Sequence, residues 1–404
     1  MASTKPHISA GFSFETQEET LDIKPPSAKL TIGIPKEMVL QENRVALIPE
    51  AINVLVNNGH QVIVETKAGE GSKYSDNDFS EAGAQIALKK REVYKAPILI
   101  KSAPVMEEDL SFLQINQTII SPIHFSMLKK ESLEKMMEKK ITALGFEHLK
   151  DDSGTYPIVR CMSEIAGSAA MLIAGQFLGS QENGKGVLLG GISGIPPTKV
   201  IIIGAGVVGE FAARTAIAMG ASVKVFDSNV YRLKRLQNNL GMRVWTSVME
   251  PRILAKQLKS CEVAVGALTN ESGRSPIVVT EEMVQAMRPG SVIIDVSIDR
   301  GGCFETSEIT THQHPTFVKH GVIHYCVPNI PSGYARTASH AISNVLMPLL
   351  LDAGDAGGIE EMVWHNFNLR NGVYLYRGHL TNLYISQRFD LKFTDLNLLI
   401  ASQR

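Results

Sequence analysis

The chain has 404 residues, of which 44% are hydrophobic and 20% charged, a composition typical of globular proteins that excludes a mostly disordered chain. At about 150 residues per domain, this length predicts two or three domains. The 40 Lys and Arg residues and 41 Asp and Glu residues leave a net charge of -1, so no basic excess indicates binding to nucleic acid or to an anionic membrane.

The cysteines and the first residues indicate the compartment. The four cysteines are widely spaced without a C-x-x-C pair, which argues against a disulfide framework or a bound metal: Cys161, Cys261, Cys303 and Cys326. Residues 1–28 lack the apolar segment of a signal peptide and are too acidic for a transit peptide. No apolar run reaches the roughly 18 residues that span a bilayer. We therefore expect a soluble, cytoplasmic protein without a membrane partner.

Predicted strands and helices alternate along the first part of the chain. Residues 29–34 form an apolar strand, residues 49–58 have the apolar spacing of a helix that stops at Gly59, and residues 60–65 form the next strand. Further strands are predicted at residues 96–101, 117–120 and 141–146. Alternation of this kind favours a mainly parallel sheet covered by helices on both faces.

A second, glycine-rich unit follows. Its predicted strands are residues 199–203, 221–226, 262–267 and 291–298. Residues 338–351 then return to a helical pattern. We expect the chain to leave a first domain, build a second one and return to the first.

The strongest local motif lies in KVIIIGAGVVGEFAARTAIAMGASVKVFDSN. Gly204, Gly206 and Gly209 form G-x-G-x-x-G between an apolar strand and an Ala-rich helix that ends near Gly220. The next strand closes on Asp227, 23 residues after the first glycine. This context is the dinucleotide-binding fingerprint and favours it over a plain glycine turn.

Each part of this motif has a physical reason. Gly204 permits a tight turn, Gly206 lets the backbone approach a pyrophosphate, and Gly209 lets the helix pack close to the strand. The helix N-terminus offers free N–H groups to phosphates. Asp227 is placed to accept hydrogen bonds from ribose hydroxyls and would repel an additional phosphate, so NAD is expected rather than NADP.

Four single residues carry candidate chemistry, although pattern alone leaves a structural role open for each of them. Arg44 is either a carboxylate anchor or a solvated surface charge. His124 follows a strand and is either a general acid/base or a structural histidine. Lys101 closes a strand and either binds an anion or stays exposed. Asp299 lies beyond an apolar strand, as a site residue or as a turn residue before glycines.

Several long segments resemble one known family, which comprises alanine dehydrogenases and the NAD-binding subunit of proton-translocating transhydrogenases. They are ENRVALIP, AGEGSKYSD, GVLLGGISGIPPTKV, IDRGGCFETS, HPTF, HYCVPNIP and NGVYLYRGHLTN. The resemblance runs from about residue 30 to about residue 400 and leaves only the N-terminal tail uncovered.

The resemblance implies an α/β fold of two Rossmann-like, doubly wound domains. The expected substrate domain is discontinuous, made of residues 29–158 and 334–404, and it flanks a central NAD-binding domain at residues 159–333. Residues 1–28 form an N-terminal extension that we expect to be flexible. Members of the family usually form hexamers, so a homo-oligomer is expected.

The resemblance also implies roles for individual residues. Arg44 corresponds to the residue that holds the substrate carboxylate, and His124 and Asp299 correspond to the catalytic residues. Asn329 corresponds to an active-site asparagine beside the nicotinamide, where it contacts substrate. The expected NAD contacts are Ser163, Gly204, Gly206, Val207, Val208, Gly209, Asp227, Ile298, Asp299 and Asn329.

The sequence departs from the family where a substrate-binding lysine is expected. The family typically carries Lys-Val-Lys-Glu-Pro, whereas this chain has Lys101-Ser102-Ala103-Pro104, which puts Ser102 in place of the second lysine. Lys101 serves as the substrate lysine only if the loop shifts by one residue. The loop at residues 268–276 and the pair at residues 160–161 also depart from the family pattern.

The expected activity is the NAD-dependent, reversible oxidative deamination of L-alanine to pyruvate and ammonia. Three alternatives remain open: a dehydrogenase of another small amino or keto acid, a transhydrogenase-like NAD-binding subunit, and an NAD-binding protein without turnover.

Overall fold

The computed structural model describes residues 27–39, 41–125, 127–269 and 274–402, so the predicted extension at residues 1–28 lies outside the described residues except for its last two. The strands are β1 Thr31–Ile34, β2 Gln61–Glu65, β3 Gln85–Ala87, β4 Ile98–Ile100, β5 Thr118–Ser121, β6 Thr142–Gly145, β7 Lys199–Ile203, β8 Ser222–Phe226, β9 Trp245–Ser247, β10 Val263–Gly266, β11 Val292–Asp295, β12 Thr316–Lys319, β13 Val322–Tyr325, β14 Val373–Tyr376 and β15 His379–Leu380. The helices are α1 Pro49–Asn57, α2 Asp76–Glu81, α3 Lys90–Val93, α4 Lys130–Glu138, α5 Pro157–Phe177, α6 Val207–Ala218, α7 Val230–Leu240, α8 Pro251–Leu258, α9 Glu281–Gln285, α10 Ala335–Asp355, α11 Ile359–His365, α12 Phe367–Arg370, α13 Leu383–Phe389 and α14 Leu396–Ala401.

These strands form two mainly parallel sheets. The first has the order β15-β14-β6-β5-β4-β1-β2-β3, and the second has the order β12-β13-β11-β10-β7-β8-β9. Among the named strands, the antiparallel pairs are β15–β14, β14–β6 and β12–β13, and each lies at or next to one edge of its sheet. The first sheet takes strands from both ends of the described chain, and the second is contiguous. The predicted α/β fold class is confirmed, while the domain boundaries at residues 158 and 334 stay predictions.

Each sheet separates two apolar clusters, one on each face. In β4, Ile98 and Ile100 belong to one cluster and Leu99 belongs to the other. This alternation follows from the strand geometry, in which successive side chains point to opposite faces. A strand buried on both faces therefore reads as an unbroken apolar run, which is why these strands were predicted from the sequence.

The predicted strand at residues 291–298 is wrong at its end. The strand stops at Asp295, and a short 3-10 helix, Val296–Arg300, follows it. The buried Asp295 carboxylate accepts hydrogen bonds from the backbone N–H groups of Ser297 and Cys303, at 3.1 and 3.0 Å. These bonds turn the chain after β11. Asp299 therefore lies on a turn that the Asp295 carboxylate holds in place, and not directly after a strand.

Helix α5 was not predicted from the sequence. The expectation that no segment is long and apolar enough to cross a membrane is also wrong. By length and composition alone, α5 is one such helix among the described residues. It packs against α6 and α10, and Ala166, Ala169 and Ala170 are buried in the core of the second sheet. A core helix of a globular domain meets the same criteria.

His324 in β13 makes stability depend on pH. Its ring is buried, stacks on Phe317 at a centroid distance of 4.8 Å and contacts Thr306 Oγ1 through Nε2 at 2.8 Å. Burial lowers its pKa from 6.5 to about 4. Between these values an unfolded chain binds the proton and the folded protein does not, so stability falls as pH is lowered from 6.5 towards 4.

We expect this histidine to contribute about 3 kcal/mol of that loss, on the scale of 1.36 kcal/mol for each pKa unit. Urea unfolding at pH 6.5, 5.5 and 4.5 measures it, and His324→Gln is expected to flatten the dependence. An equally steep dependence in His324→Gln would assign the effect to other groups.

Candidate active site

The predicted site residues gather at the carboxyl ends of the parallel strands, where open α/β sheets bind ligands. In the first sheet, Arg44 lies on the segment after β1, and His124 follows β5. In the second sheet, the glycine motif follows β7, Asp299 lies beyond β11, and Asn329 lies beyond β13. Hydrogen bonds and electrostatic interactions described below bring Arg44, His124, Asp299 and Asn329 together in one cleft.

Arg44 is buried and ion-paired, so the interpretation as a solvated surface charge is wrong. Its Nε donates to Glu42 Oε1 at 2.7 Å, and its Nη2 pairs with Glu42 Oε2 at 2.5 Å. Burial acts to lower the pKa of Arg44, but the negative charges of Glu42, Glu37 and Asp299 outweigh burial and raise it. The guanidinium is therefore a permanent cation within the cleft.

Asn329 connects this cation to the second sheet. Its Nδ2 donates to Glu42 Oε2 at 3.1 Å, and its backbone N–H donates to Asp299 Oδ1 at 3.3 Å. The backbone of Asn329 is left-handed, with φ of 56°, a conformation that Asn adopts more readily than most residues. Arg44, Glu42, Asn329 and Asp299 thus form a continuous chain of polar contacts.

His124 and Asp299 both face this cleft. Their side chains are accessible to solvent, but the walls of the cleft displace part of the water around them. This desolvation, together with the positive charge of Arg44, lowers the pKa of His124. Desolvation also raises the pKa of Asp299, against the opposing bond from Asn329 and the charges of Arg300 and Arg44. His124 is therefore a neutral imidazole at pH 7, able to accept a proton.

A buried carboxylate holds the backbone in front of His124. Glu147, after β6, accepts a hydrogen bond from the Ile123 N–H at 2.6 Å. His124 itself has a left-handed backbone, with φ of 45°. Because few non-glycine residues adopt this conformation unaided, the Glu147 contact helps to fix the direction of the imidazole.

Lys101 is neither exposed nor free to bind an anion in this structure. Its Nζ lies 2.8 Å from Glu37 Oε2 and 3.3 Å from Asp109 Oδ2, and its side chain is 3% exposed. Glu37 Oε1 also accepts hydrogen bonds from the N–H groups of Ser102 and Ala103, at 2.6 and 3.1 Å. The buried Ser102 hydroxyl has no hydrogen-bond partner among the described residues.

The glycine motif has the geometry that a dinucleotide requires. Gly204 has φ of 118°, and a Cβ there would lie 2.3 Å from the Ala267 carbonyl oxygen. A Cβ on Gly209 would lie 1.9 Å from the Gly204 carbonyl oxygen, so the helix approaches the strand as closely as glycine allows. A Cβ on Gly206 would meet no atom within 4 Å, which leaves open space in front of the turn. The residues present therefore fit a bound pyrophosphate.

The other expected NAD contacts surround this turn. Asp227 is buried, and its carboxylate accepts hydrogen bonds from the N–H groups of Ala205 and Asn229 at 2.7 and 2.8 Å. It thereby holds the glycine turn against β8, while its contact with a ribose stays a prediction. Ser163 lies one helical turn before Gly167, where α5 comes close to Val208 at the start of α6. Val207 is half-buried, and Ile298 is buried.

The two glycines predict opposite outcomes when each is replaced by alanine. Gly209→Ala must displace backbone, and overpacking of this kind costs about 1–3 kcal/mol, so we expect a lower thermal midpoint. Gly206→Ala has ordinary backbone angles and open space, so we expect a wild-type midpoint but NADH binding weakened by about tenfold or more. Thermal unfolding and NADH fluorescence titration separate the two. Unchanged NADH affinity in Gly206→Ala would move the phosphate site elsewhere.

Sequence reasoning missed the acidic partners in the cleft. Glu42 lies only two residues before Arg44, and the rule that a buried arginine needs a counter-ion would have selected it. Glu37 and Asp109 lie 64 and 8 residues from Lys101, and no local spacing connects the three. Glu147 follows β6 and gave no sequence signal at all.

Comparisons with known proteins agree with this geometry. Residues 33–166 match the family model described as "Alanine dehydrogenase/PNT, N-terminal domain", and residues 170–383 match "Alanine dehydrogenase/PNT, C-terminal domain". "Alanine dehydrogenase 2" of Staphylococcus aureus strain Mu50 is 36% identical over 365 residues, covering 90% of this chain and 98% of that protein.

Solved structures show the same similarity. One described as "L-ALANINE DEHYDROGENASE" superposes with a TM-score of 0.84 at 34% identity, covering 89% of this chain and 99% of the other. A transhydrogenase from Sinorhizobium meliloti superposes with a TM-score of 0.74 at 22% identity, covering 88% and 99% of the two chains, and supports the fold alone.

Proposed function

The chain belongs to the alanine dehydrogenase/PNT family, and we propose that it catalyses the NAD-dependent, reversible oxidative deamination of L-alanine to pyruvate and ammonia. The observation that carries this proposal is the contact chain Arg44–Glu42–Asn329–Asp299, with His124 in the same cleft and the glycine turn at the carboxyl edge of the second sheet. A cation, a neutral imidazole and a carboxylate beside a dinucleotide site are the groups that this reaction needs.

Arg44 binds the substrate carboxylate through the N–H groups that Glu42 leaves free. Bound NAD supplies the hydride acceptor. His124 accepts a proton from the water that adds to the iminium carbon and returns it to the nitrogen. It then accepts the hydroxyl proton as the C–N bond breaks, so that ammonia leaves as pyruvate forms. Asp299 orients the amine by accepting its hydrogen bonds, and Asn329 holds Asp299 and the Glu42–Arg44 pair in place. The overall balance is L-alanine, NAD⁺ and water to pyruvate, NADH, ammonium and a proton.

The predicted role of Lys101 in substrate binding stays a prediction. Its ammonium is held by Glu37 and Asp109, so contact with a substrate oxygen requires one of these ion pairs to open. The hydroxyl of Ser102, without a partner among the described residues, lies on the same segment. This difference from the family supports a second candidate, a dehydrogenase for another small amino or keto acid.

We propose a preference for NAD over NADP, which rests on Asp227, and a cytoplasmic location, which rests on the cysteine pattern. We also propose a homo-hexamer, which rests on the family resemblance. Light scattering on the purified protein measures the mass of the oligomer. A monomeric mass would exclude the hexamer.

The reaction is tested by following nicotinamide absorbance in both directions. L-Alanine is supplied with NAD or NADP, and pyruvate and ammonia with NADH, beside a panel of other amino and keto acids. We expect L-alanine-dependent reduction of NAD. Activity on another acid only would favour the second candidate, and NAD binding without any turnover would contradict both.

A further inference from the structure

The carboxylate of Glu42 lies where the two domains meet, and none of the roles assigned above includes it as more than a counter-ion. Its side chain is 5% exposed. Oε1 accepts from the backbone N–H and from Nε of Arg44, at 3.0 and 2.7 Å. Oε2 accepts from Nη2 of Arg44 and from Nδ2 of Asn329, at 2.5 and 3.1 Å.

These bonds decide which end of Arg44 is offered to a ligand. A guanidinium has five N–H donors, and Glu42 occupies the side formed by Nε and Nη2. Nη1 contacts only the Met162 sulfur, at 3.4 Å, among the recorded hydrogen bonds of the described residues. A thioether is a weak acceptor, so a carboxylate that displaces it gains affinity. An incoming carboxylate is therefore directed to the end formed by Nη1 and Nη2.

The segment that carries Glu42 also docks on the second domain. The Asn43 N–H donates to Ser332 Oγ at 2.9 Å, and Ser332 Oγ donates to the Gln41 carbonyl at 2.5 Å. The His312 N–H donates to Gln41 Oε1 at 2.7 Å. Glu42 thus lies in a row of contacts between residues 41–44 and residues 312–332.

Because Glu42 bonds to Arg44 and to Asn329 with the same oxygen, a movement of Asn329 is transmitted to the guanidinium. We propose that Glu42 is a positioning residue that fixes the end of Arg44 presented to the substrate and makes the hold on the substrate carboxylate depend on the position of the NAD-binding domain. This inference rests on the proposed function of Arg44 as the carboxylate anchor. Its consequence is that pyruvate and NADH bind cooperatively, with a coupling that passes through Glu42.

The experiment compares pyruvate dissociation constants without and with saturating NADH, by calorimetry on the full-length protein. The wild-type ratio is expected to be about fivefold or more, within the usual range of coupling between two sites. Glu42→Ala and Glu42→Gln are expected to bring the ratio towards one and to raise the KM for L-alanine by about tenfold, with a much smaller change in kcat. Asn329→Ala removes the hydrogen bond between Asn329 and Glu42 but leaves the Glu42–Arg44 ion pair intact. The ratio of pyruvate dissociation constants must therefore fall in this variant as well.

The chain offers a matched control. Glu360 Oε2 accepts from Nε and Nη2 of Arg377 at 3.0 and 2.6 Å, so the carboxylate engages the same two guanidinium nitrogens that Glu42 engages in Arg44. It also contacts Thr142 at the start of β6, the end opposite to the cleft. Glu360→Gln is therefore expected to leave the ratio and the KM unchanged.

A wild-type ratio near one, or a wild-type ratio retained in Asn329→Ala or in the folded Glu42 variants, would overturn the inference. So would a wild-type protein that binds no small carboxylate. A protein that binds pyruvate cooperatively with NADH but does not turn over L-alanine would instead overturn the proposed reaction and leave this inference standing.

Discussion

Replacing His124 with asparagine is expected to lower kcat for L-alanine by about 10²- to 10⁴-fold, the usual contribution of a general acid/base. Asparagine accepts the left-handed backbone at this position, where φ is 45°, so the loss reports the imidazole rather than a distorted loop. Steady-state kinetics measures kcat, and NADH fluorescence titration is expected to give a wild-type dissociation constant.

The control is another histidine with the same backbone. His320 also has a left-handed φ, 55°, and lies between β12 and β13, where it contacts Glu281. His320→Asn is expected to keep wild-type kcat. Full turnover in His124→Asn with normal NADH binding would remove His124 from the mechanism.

Replacing Lys101 with methionine is expected to lower the free energy of unfolding by roughly 3–5 kcal/mol, because the change breaks a buried ion pair on one side. In this variant Asp109 still forms an ion pair with Lys90, at 2.6 Å. Glu37, in contrast, loses the only ion pair that it forms among the described residues. Burial already raises the pKa of Glu37, against the opposing charge of Lys101. Without that charge the pKa rises further, so the destabilisation should be larger at pH 8 than at pH 5.5.

Urea unfolding at the two pH values tests this expectation. Lys129→Met is the control, because the Lys129–Glu107 pair has a similar separation, 3.0 Å, but is exposed to solvent. Exposed pairs contribute at most about 1 kcal/mol, so little change is expected there. A Lys101→Met protein with wild-type stability and a raised KM for pyruvate would contradict the structural role and restore Lys101 as a substrate ligand.

Local patterns were sufficient for much of the fold. The central strands were found because unbroken apolar runs such as VIII in β7 need burial on both faces. Helix α5 was missed partly because glycines lower helix propensity. Its Gly167 is nevertheless required, since a Cβ there would lie 2.3 Å from the Val208 carbonyl oxygen of α6. The edge strand β12 was missed because its residues are only half-buried or exposed, so their hydrophobicity pattern is weak.

In the candidate site, too, contacts between residues close in sequence were predictable and contacts between distant residues were not. The glycine turn was predictable because its strand, turn and helix are adjacent in sequence, and the structure gives each glycine the contacts expected of it. The partners of Lys101 and the link from Glu42 to Asn329 were not predictable from spacing, because the second of these joins residues 287 positions apart. Only the folded structure shows that Lys101 is ion-paired with Glu37 and Asp109. The hydrogen bond between Glu42 and Asn329, which joins the two domains, is likewise visible only there.

The discontinuous first sheet has a consequence for synthesis on the ribosome. Strand β6 ends at Gly145, and β14, which pairs with its free edge, begins at Val373. At about 5–20 residues per second, translation of the intervening segment takes on the order of ten seconds to a minute. The contiguous second sheet is complete before β14 emerges. Throughout that interval the edge of β6 has unpaired backbone groups, so a nascent chain is exposed at this strand to pairing with its neighbours on a polysome.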